Sequence, residues 1–308
     1  MSIQAVIASL VMRMQMADFY KDPSIEVQRA KMTKYARAVK LPADVKREQV
    51  DAGGTPAEWI ITPEINQDGV ILYLHGGAYY LNYDNPHRDL VARLGRQAQM
   101  RSLILEYRLA PENPFPAALD DAVGAYHWLV DQGYSPNKIS ISGDSCGGGL
   151  ALATALKLRD EGVSLPAGIA CISPWTDLTG SGDSMASKDK ADFINSAANM
   201  NVTAKYYAGE HDLKTPYISP LYANLDGLPP LLIQVGTREV LLDDSTRLAE
   251  RARQAGVDVT LEIWNGMFHV FHLGAAIIPE AQKAVENMAA FLRRCVDNNS
   301  KLTADKHR

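Results

Sequence analysis

Three side chains able to cooperate in acyl chemistry stand in the order Ser145, Glu239, His269 along this 308-residue chain. A serine hydroxyl attacks a carbonyl carbon once an imidazole takes its proton. A carboxylate then fixes the tautomer of that imidazole and stabilises its charged form. Ser145 is central in Gly143-Asp144-Ser145-Cys146-Gly147, a G-x-S-x-G spacing that fits a tight strand-to-helix turn with the hydroxyl held out at the bend. The alternating run Lys138 to Ser142 reads as the strand, and the glycine-, alanine- and leucine-rich stretch from Gly147 to Arg159 as a closely packed helix. The oxyanion made by such an attack has to be met by preorganised donors. His75-Gly76-Gly77 follows the apolar run Val70 to Tyr73. Glycines there leave backbone N–H groups uncovered, so Gly76 and Gly77 offer two donors and Cys146 a third; the plainer reading of the pair is a turn that needs positive φ.

The other two members also follow apolar runs. Leu231 to Val235 leads into Gly236-Thr237-Arg238-Glu239, and Val257 to Trp264 into Asn265-Gly266-Met267-Phe268-His269. Both therefore fall at carboxyl ends of strands, where loops gather over a parallel sheet. Asp243 and Asp244 are near enough to Glu239 to be proposed as the acid instead, although Asp243-Asp244-Ser245-Thr246 also reads as the capped opening of a helix. Of seven histidines, only His269 has this setting. His272 is expected as a partly buried or solvated neighbour, His75 as a brace of the glycine loop, and His87, His127, His211 and His307 at the surface. Cys146 could be a reactive thiol at a helix N-terminus; the preferred reading is a small residue filling a tight corner.

These residues need a scaffold, and the chain can build one. Hydrophobic residues make up 46% of the sequence, enough for a large single core at this length. From Val70 onward strand-like and helix-like segments alternate, which predicts an α/β fold with a mostly parallel central sheet and helices on both faces. A hairpin around Gly53-Gly54 is expected to precede it. The net charge of −5 is mild and its signs are mixed, so neither nucleic acid nor anionic lipid is expected as a partner. Three scattered cysteines suit no disulfide framework and no metal site, and no cofactor is expected. A reducing cytoplasm fits them best.

Ile3, Val6, Ile7, Leu10, Val11 and Met14 fall on one helical face, expected to pack on the protein. Neither a secretory signal nor a membrane anchor is expected there, because a basic leader is lacking and Arg13 interrupts the apolar run. A second helix is expected to start at Asp22-Pro23 and reach about Val39. Residues 179–224 break the alternation. They are polar, with a helix expected over Lys190 to Met200, and a stretch this long between core strands reads as an elaborated loop or lid.

The chain resembles the bacterial hormone-sensitive-lipase-like carboxylesterases, a family with the α/β-hydrolase fold. The resemblance rests on His75-Gly76-Gly77, Tyr107 to Glu112, Pro114 to Ala118, Gly143 to Gly148, Ser173-Pro174-Trp175-Thr176-Asp177 and Gly266-Met267-Phe268-His269. Three positions depart from the family pattern. Ala78 stands for a third glycine, Cys146 for the usual alanine, and Glu239 for the aspartate of the acid loop, which leaves Asp243 as a loop brace. The resemblance implies hydrolysis of short-chain carboxylic esters, with amide, carbamate or lactone hydrolysis, acyl transfer and non-catalytic ligand binding as alternatives. It also implies a helical cap over Ser145, made of residues 1–45 and 179–224, on a catalytic domain of residues 46–308. Tyr79, Tyr83, Trp175, Tyr206 and Tyr207 are candidates for its substrate pocket. The expected partner is a small ester, and a homodimer is possible.

Overall fold

Strand side chains alternate between two apolar cores, and that alternation fixes the architecture. The computed structural model describes residues 1–65 and 68–305. Eight strands form one sheet: β1 (Lys46–Asp51), β2 (Pro56–Ile61), β3 (Val70–Leu74), β4 (Arg101–Leu105), β5 (Ile139–Asp144), β6 (Gly168–Ile172), β7 (Leu231–Gly236) and β8 (Val259–Trp264). Their spatial order is β1-β2-β4-β3-β5-β6-β7-β8. β1 and β2 pair antiparallel around the expected glycine turn, and β2 pairs antiparallel with β4. Every pairing from β4 onward is parallel.

Val70, Leu72, Leu74, Ile139, Ile141, Ile169, Leu231 and Ile233 face one core. Ile71, Tyr73, Ala170, Ile172 and Leu232 face the other. The first core is closed by α4 (Ala117–Asp131), α5 (Cys146–Asp160) and α8 (Leu242–Gln254), the second by α3 (Asn85–Ala98) and α9 (Pro279–Asp305). Central strands β3, β5, β6 and β7 are buried at every residue, as expected where helices cover both faces.

The remaining helices lie outside this sandwich: α1 (Ile3–Phe19), α2 (Ile25–Ala36), α6 (Asp183–Ser187) and α7 (Ala197–Ala208). Three expectations need correction here. The α1 face carrying Ile3, Ile7, Leu10 and Met14 is turned outward, and Ala5 and Ser9 are buried instead. Small residues let a helix approach its support closely, which outweighs the pull of the larger side chains on the opposite face. Within 179–224 the longer helix runs over Ala197–Ala208, where the Ser196 side chain accepts from the Asn199 N–H and Asp189 Oδ1 from the Ala197 N–H, so the polar residues before it serve as caps and not as helix. Asp243 and Asp244 do not cap α8, whose N-cap is Leu241; both reach outward to other segments. Among the described residues no helix is long and apolar enough to cross a membrane.

Candidate active site

Ser145 sits between β5 and α5 with φ 55° and ψ −124°, a conformation rarely open to a residue with a side chain. Neighbouring segments hold it there. Its N–H donates to Ile172 O at 2.8 Å and its carbonyl accepts from Trp175 N–H at 2.9 Å, so β6 and the loop after it clamp both sides of the bend. The bend also requires Gly147: a Cβ at that position would lie 2.0 Å from Leu74 O.

His269 Nε2 lies 3.0 Å from Ser145 Oγ, and its Nδ1 lies 2.8 Å from Glu239 Oε2. The loop after β7 delivers Glu239 and the loop after β8 delivers His269, so three carboxyl strand ends bring the three groups together. All are buried, with Glu239 fully so. The second carboxylate oxygen, Glu239 Oε1, accepts from Ser173 Oγ at 2.8 Å and from Gly236 N–H. Ser173 belongs to the Ser-Pro-Trp-Thr-Asp run, but nothing local in the sequence marks it as the support of an acid 66 positions away.

Asp243 and Asp244 are occupied elsewhere. Asp243 Oδ2 accepts from Ser184 N–H, fastening α6 to the acid loop. Asp244 Oδ2 accepts from the N–H groups of Thr176 and Asp177, both at 2.8 Å. A further carboxylate escaped the sequence reading. Buried Asp192 accepts from Val240 N–H at 3.0 Å, next to Glu239, so the polar 179–224 segment is tied to the acid loop through Asp192 as well as through Ser184.

Burial opposes charge on His269, but the hydrogen bond to Glu239 and the charges of Glu239, Asp192 and Asp144 outweigh it, and its pKa lies above the ordinary 6.5. Only the neutral imidazole can take the serine proton. Activity is therefore present above that raised pKa and lost as pH falls through it. A pH profile of kcat/KM is expected to show its acid limb above 6.5, and a limb at or below 6.5 would contradict the geometry.

The glycine loop needs one correction. Gly76 N–H donates to Asp144 Oδ1 at 2.9 Å, so this donor is already engaged and Gly76 is a structural member of the loop. A Cβ at Gly76 would lie 2.2 Å from Asp144 Oδ2, so this position has room only for glycine. Among the described residues the N–H groups of Gly77 and Cys146 have no acceptor. Gly77 and Ala78 both line the cavity above Ser145. Gly77, Ala78 and Tyr79 all have positive φ, so the loop is a left-handed run in which only the first member is a glycine.

The other histidines sort by packing. His75 is buried, stacks on Tyr107 at 4.3 Å and bonds Gly76 O through Nδ1 at 2.7 Å, the expected brace; burial pushes its pKa down to about 3. His272 is fully buried, against expectation, and bonds Gln234 Oε1 through Nε2, again with its pKa lowered by burial to about 3. His87 is not at the surface: it lines the cavity, with Nε2 3.5 Å from Asp144 Oδ2. It reaches inward because Asp84 and His87 form the capping box of α3 at the cavity wall. His127 and His211 are exposed, and His307 lies outside the described residues.

Cys146 is completely buried, and burial raises its pKa to about 12. Its sulfur accepts from Tyr79 N–H at 3.2 Å. The tight-corner reading is therefore the one the geometry supports. A bulky maleimide is expected to leave Cys146 unlabelled in the native protein and to label it after denaturation. Stoichiometric native labelling at this position would show the corner to be open.

Ser145 opens into a cavity of about 290 Å³, close to the smaller end of the roughly 300–1,000 Å³ typical of small-ligand sites. Its walls come from Met12, Met16 and Phe19 of α1, Gln28 and Met32 of α2, Asn199, Met200, Val202, Thr203 and Tyr206 of α7, and Leu81, Asn82, Trp175, His269 and Leu273 below. Of the five aromatic candidates, Trp175 and Tyr206 line it. Tyr79 and Tyr207 do not, because each spends its face on the other at 3.5 Å in the buried core. Tyr83 does not either; it packs beside His75 and under Arg88. The sulfur- and ring-bearing residues of α1 are the lining that sequence reasoning missed, since the apolar stripe drew attention to the opposite face.

This arrangement recurs in known proteins. The family described as alpha/beta hydrolase fold matches residues 71–273. An acetyl-hydrolase of Streptomyces hygroscopicus is 45% identical over 253 residues, which cover 82% of this chain and 83% of its own. An esterase of Acinetobacter venetianus is 41% identical, covering 72% and 74%. The crystal structure of an esterase from the bacterial hormone-sensitive lipase family superposes with a TM-score of 0.91 at 39% identity, over 96% of this chain and 99% of that one. With the family match and the fold in agreement, the chain belongs to the alpha/beta hydrolase family, among the bacterial hormone-sensitive-lipase-like carboxylesterases.

Proposed function

We propose that this carboxylic ester hydrolase uses Ser145 as nucleophile, His269 as general base and acid, and Glu239 as the group that orients and charge-stabilises the histidine. The observation that carries this is the continuous pair of contacts from Glu239 Oε2 through His269 to Ser145 Oγ. His269 takes the hydroxyl proton as Ser145 attacks the ester carbonyl. The oxyanion accepts from the N–H groups of Gly77 and Cys146, while Gly76 anchors the loop through Asp144. Collapse expels the alcohol with a proton from His269 and leaves an acyl-enzyme. Water activated by the same histidine then releases the acid.

Residues 1–45 and 179–224 act as a cap, supported by the cavity walls that α1, α2 and α7 supply. Substrates are esters with short acyl chains. The cavity is small for a long chain, and one of the relatives is named an acetyl-hydrolase. Three buried, unpaired cysteines support a cytoplasmic setting. Hydrolysis of p-nitrophenyl esters from two to sixteen carbons tests the reading. A maximum at short chains is expected; a maximum at long chains would overturn the size argument, and faster turnover of matched amides would overturn the ester assignment.

A further inference from the structure

The outward face of α1 has no partner among the described residues. Ile3, Ile7, Leu10 and Met14 follow one another at intervals of four, three and four positions and are 76, 57, 57 and 74% exposed. Val6 and Val11 flank them at 39 and 50%. The inward face of the same helix supplies Met12, Met16 and Phe19 to the cavity. A helix that is apolar all round is normally covered on every side.

We propose that this face pairs with the same face of a second copy of the chain, antiparallel about a two-fold axis passing between Ala8 and Ser9. The 4-3-4 spacing is a seam that another helix fills knob into hole. It is also self-complementary: a two-fold at that point sets Ile7 against Leu10 of the partner subunit, and Ile3 against Met14 of the partner subunit. That is the condition for an isologous interface.

Size agrees. At roughly 200 Å² for a fully exposed large residue, the six exposures amount to about 700 Å². This exceeds the roughly 300–600 Å² patches ordinary on monomers and approaches the ~800 Å² each partner gives to a standard interface.

Charge agrees as well. The only charged residues of α1 are Arg13 and Asp18. Arg13 lies over Phe193, and Asp18 is held by Tyr35 and Lys31, so no like charges meet across the seam. A lipid surface fits less well. Interfacial helices turn a basic polar face to water, whereas the opposite face of α1 is spent on its own protein. The net charge of −5 also opposes anionic headgroups. The surface is preorganised, because Ser2 caps α1 and its hydroxyl donates to Glu280 of α9 at 2.7 Å.

Sedimentation velocity of the full chain at micromolar concentration is expected to give twice 33.7 kDa. The double variant Ile7→Glu/Leu10→Glu is expected to sediment at half that mass with unchanged far-ultraviolet dichroism and melting temperature. Oxidising an equimolar mixture of Ile7→Cys and Leu10→Cys proteins is expected to cross-link the two species to each other, a register check independent of the charged variant. A monomeric wild type would overturn the proposal, as would a dimer that survives the double variant. Co-sedimentation of monomeric wild type with phosphatidylcholine vesicles, lost in the double variant, would assign the face to lipid and overturn it too.

Discussion

Ser145→Ala is expected to lower kcat by about 10⁴–10⁶ while the protein stays folded. The hydroxyl removed is the one that lies 3.0 Å from His269 Nε2, and the strained backbone is held by peptide groups that alanine keeps. Its N–H still reaches Ile172 and its carbonyl still accepts from Trp175. The melting temperature is expected to move by no more than about 2–4 °C, the shift that roughly 1 kcal/mol produces in a domain somewhat smaller than this. Single-turnover kinetics with a chromogenic ester should also lose the acyl-enzyme burst. A variant within about tenfold of wild type would place the nucleophile elsewhere.

Glu239→Gln is expected to cost about 10³–10⁴ in kcat, and Asp243→Asn less than about tenfold. The reason is a count of donors and acceptors. Glu239 only accepts: from His269 on one oxygen, and from Ser173 and Gly236 on the other. A glutamine presents one acceptor and one donor to this ring of donors. If its NH₂ faces His269, the imidazole must accept through Nδ1 and carry its proton on Nε2, where it can no longer take one from Ser145. If its NH₂ faces Ser173 and Gly236, a buried donor meets the Gly236 N–H. Asp243 bonds Ser184, away from the imidazole. Measured kcat values in the reverse order, crippling for Asp243→Asn and mild for Glu239→Gln, would move the acid.

The parts legible in the sequence are those whose cause is local. The unbroken apolar run Val70 to Leu74 reports a strand covered on both sides, and the glycines around Ser145 report a bend in which a Cβ has no room. Glu239 and His269 were found by their place after such strands. What could not be read depends on contacts made across the fold. That Gly76 N–H is already engaged follows from Asp144 arriving beside it, 68 positions away. Ser173 and Asp192 acquire their roles only when β6 and the 179–224 segment close on the acid loop. Tyr79, Tyr83 and Tyr207 stay out of the cavity that Tyr206 lines for the same reason, since a tyrosine cannot announce from its local sequence whether its ring meets substrate or another ring. For α1 the helix was legible and its orientation was not. Periodicity counts apolar residues, whereas docking selected the side with alanine and serine.

The clasp between Ser2 and Glu280 joins positions 278 apart. Between Ser2 and Glu280 the ribosome must add 278 positions. At roughly 5–20 residues per second, Ser2 must wait on the order of 15–60 s before its partner on α9 exists. During that interval α2 can already pack on the Phe19 end of α1, while the Ser2 end lacks its support. Synthesis thus leaves the Ser2 end of α1 unclasped until α9 has been made. The wall that α1 gives to the catalytic chamber is therefore clasped only after the residues of the other walls have been made.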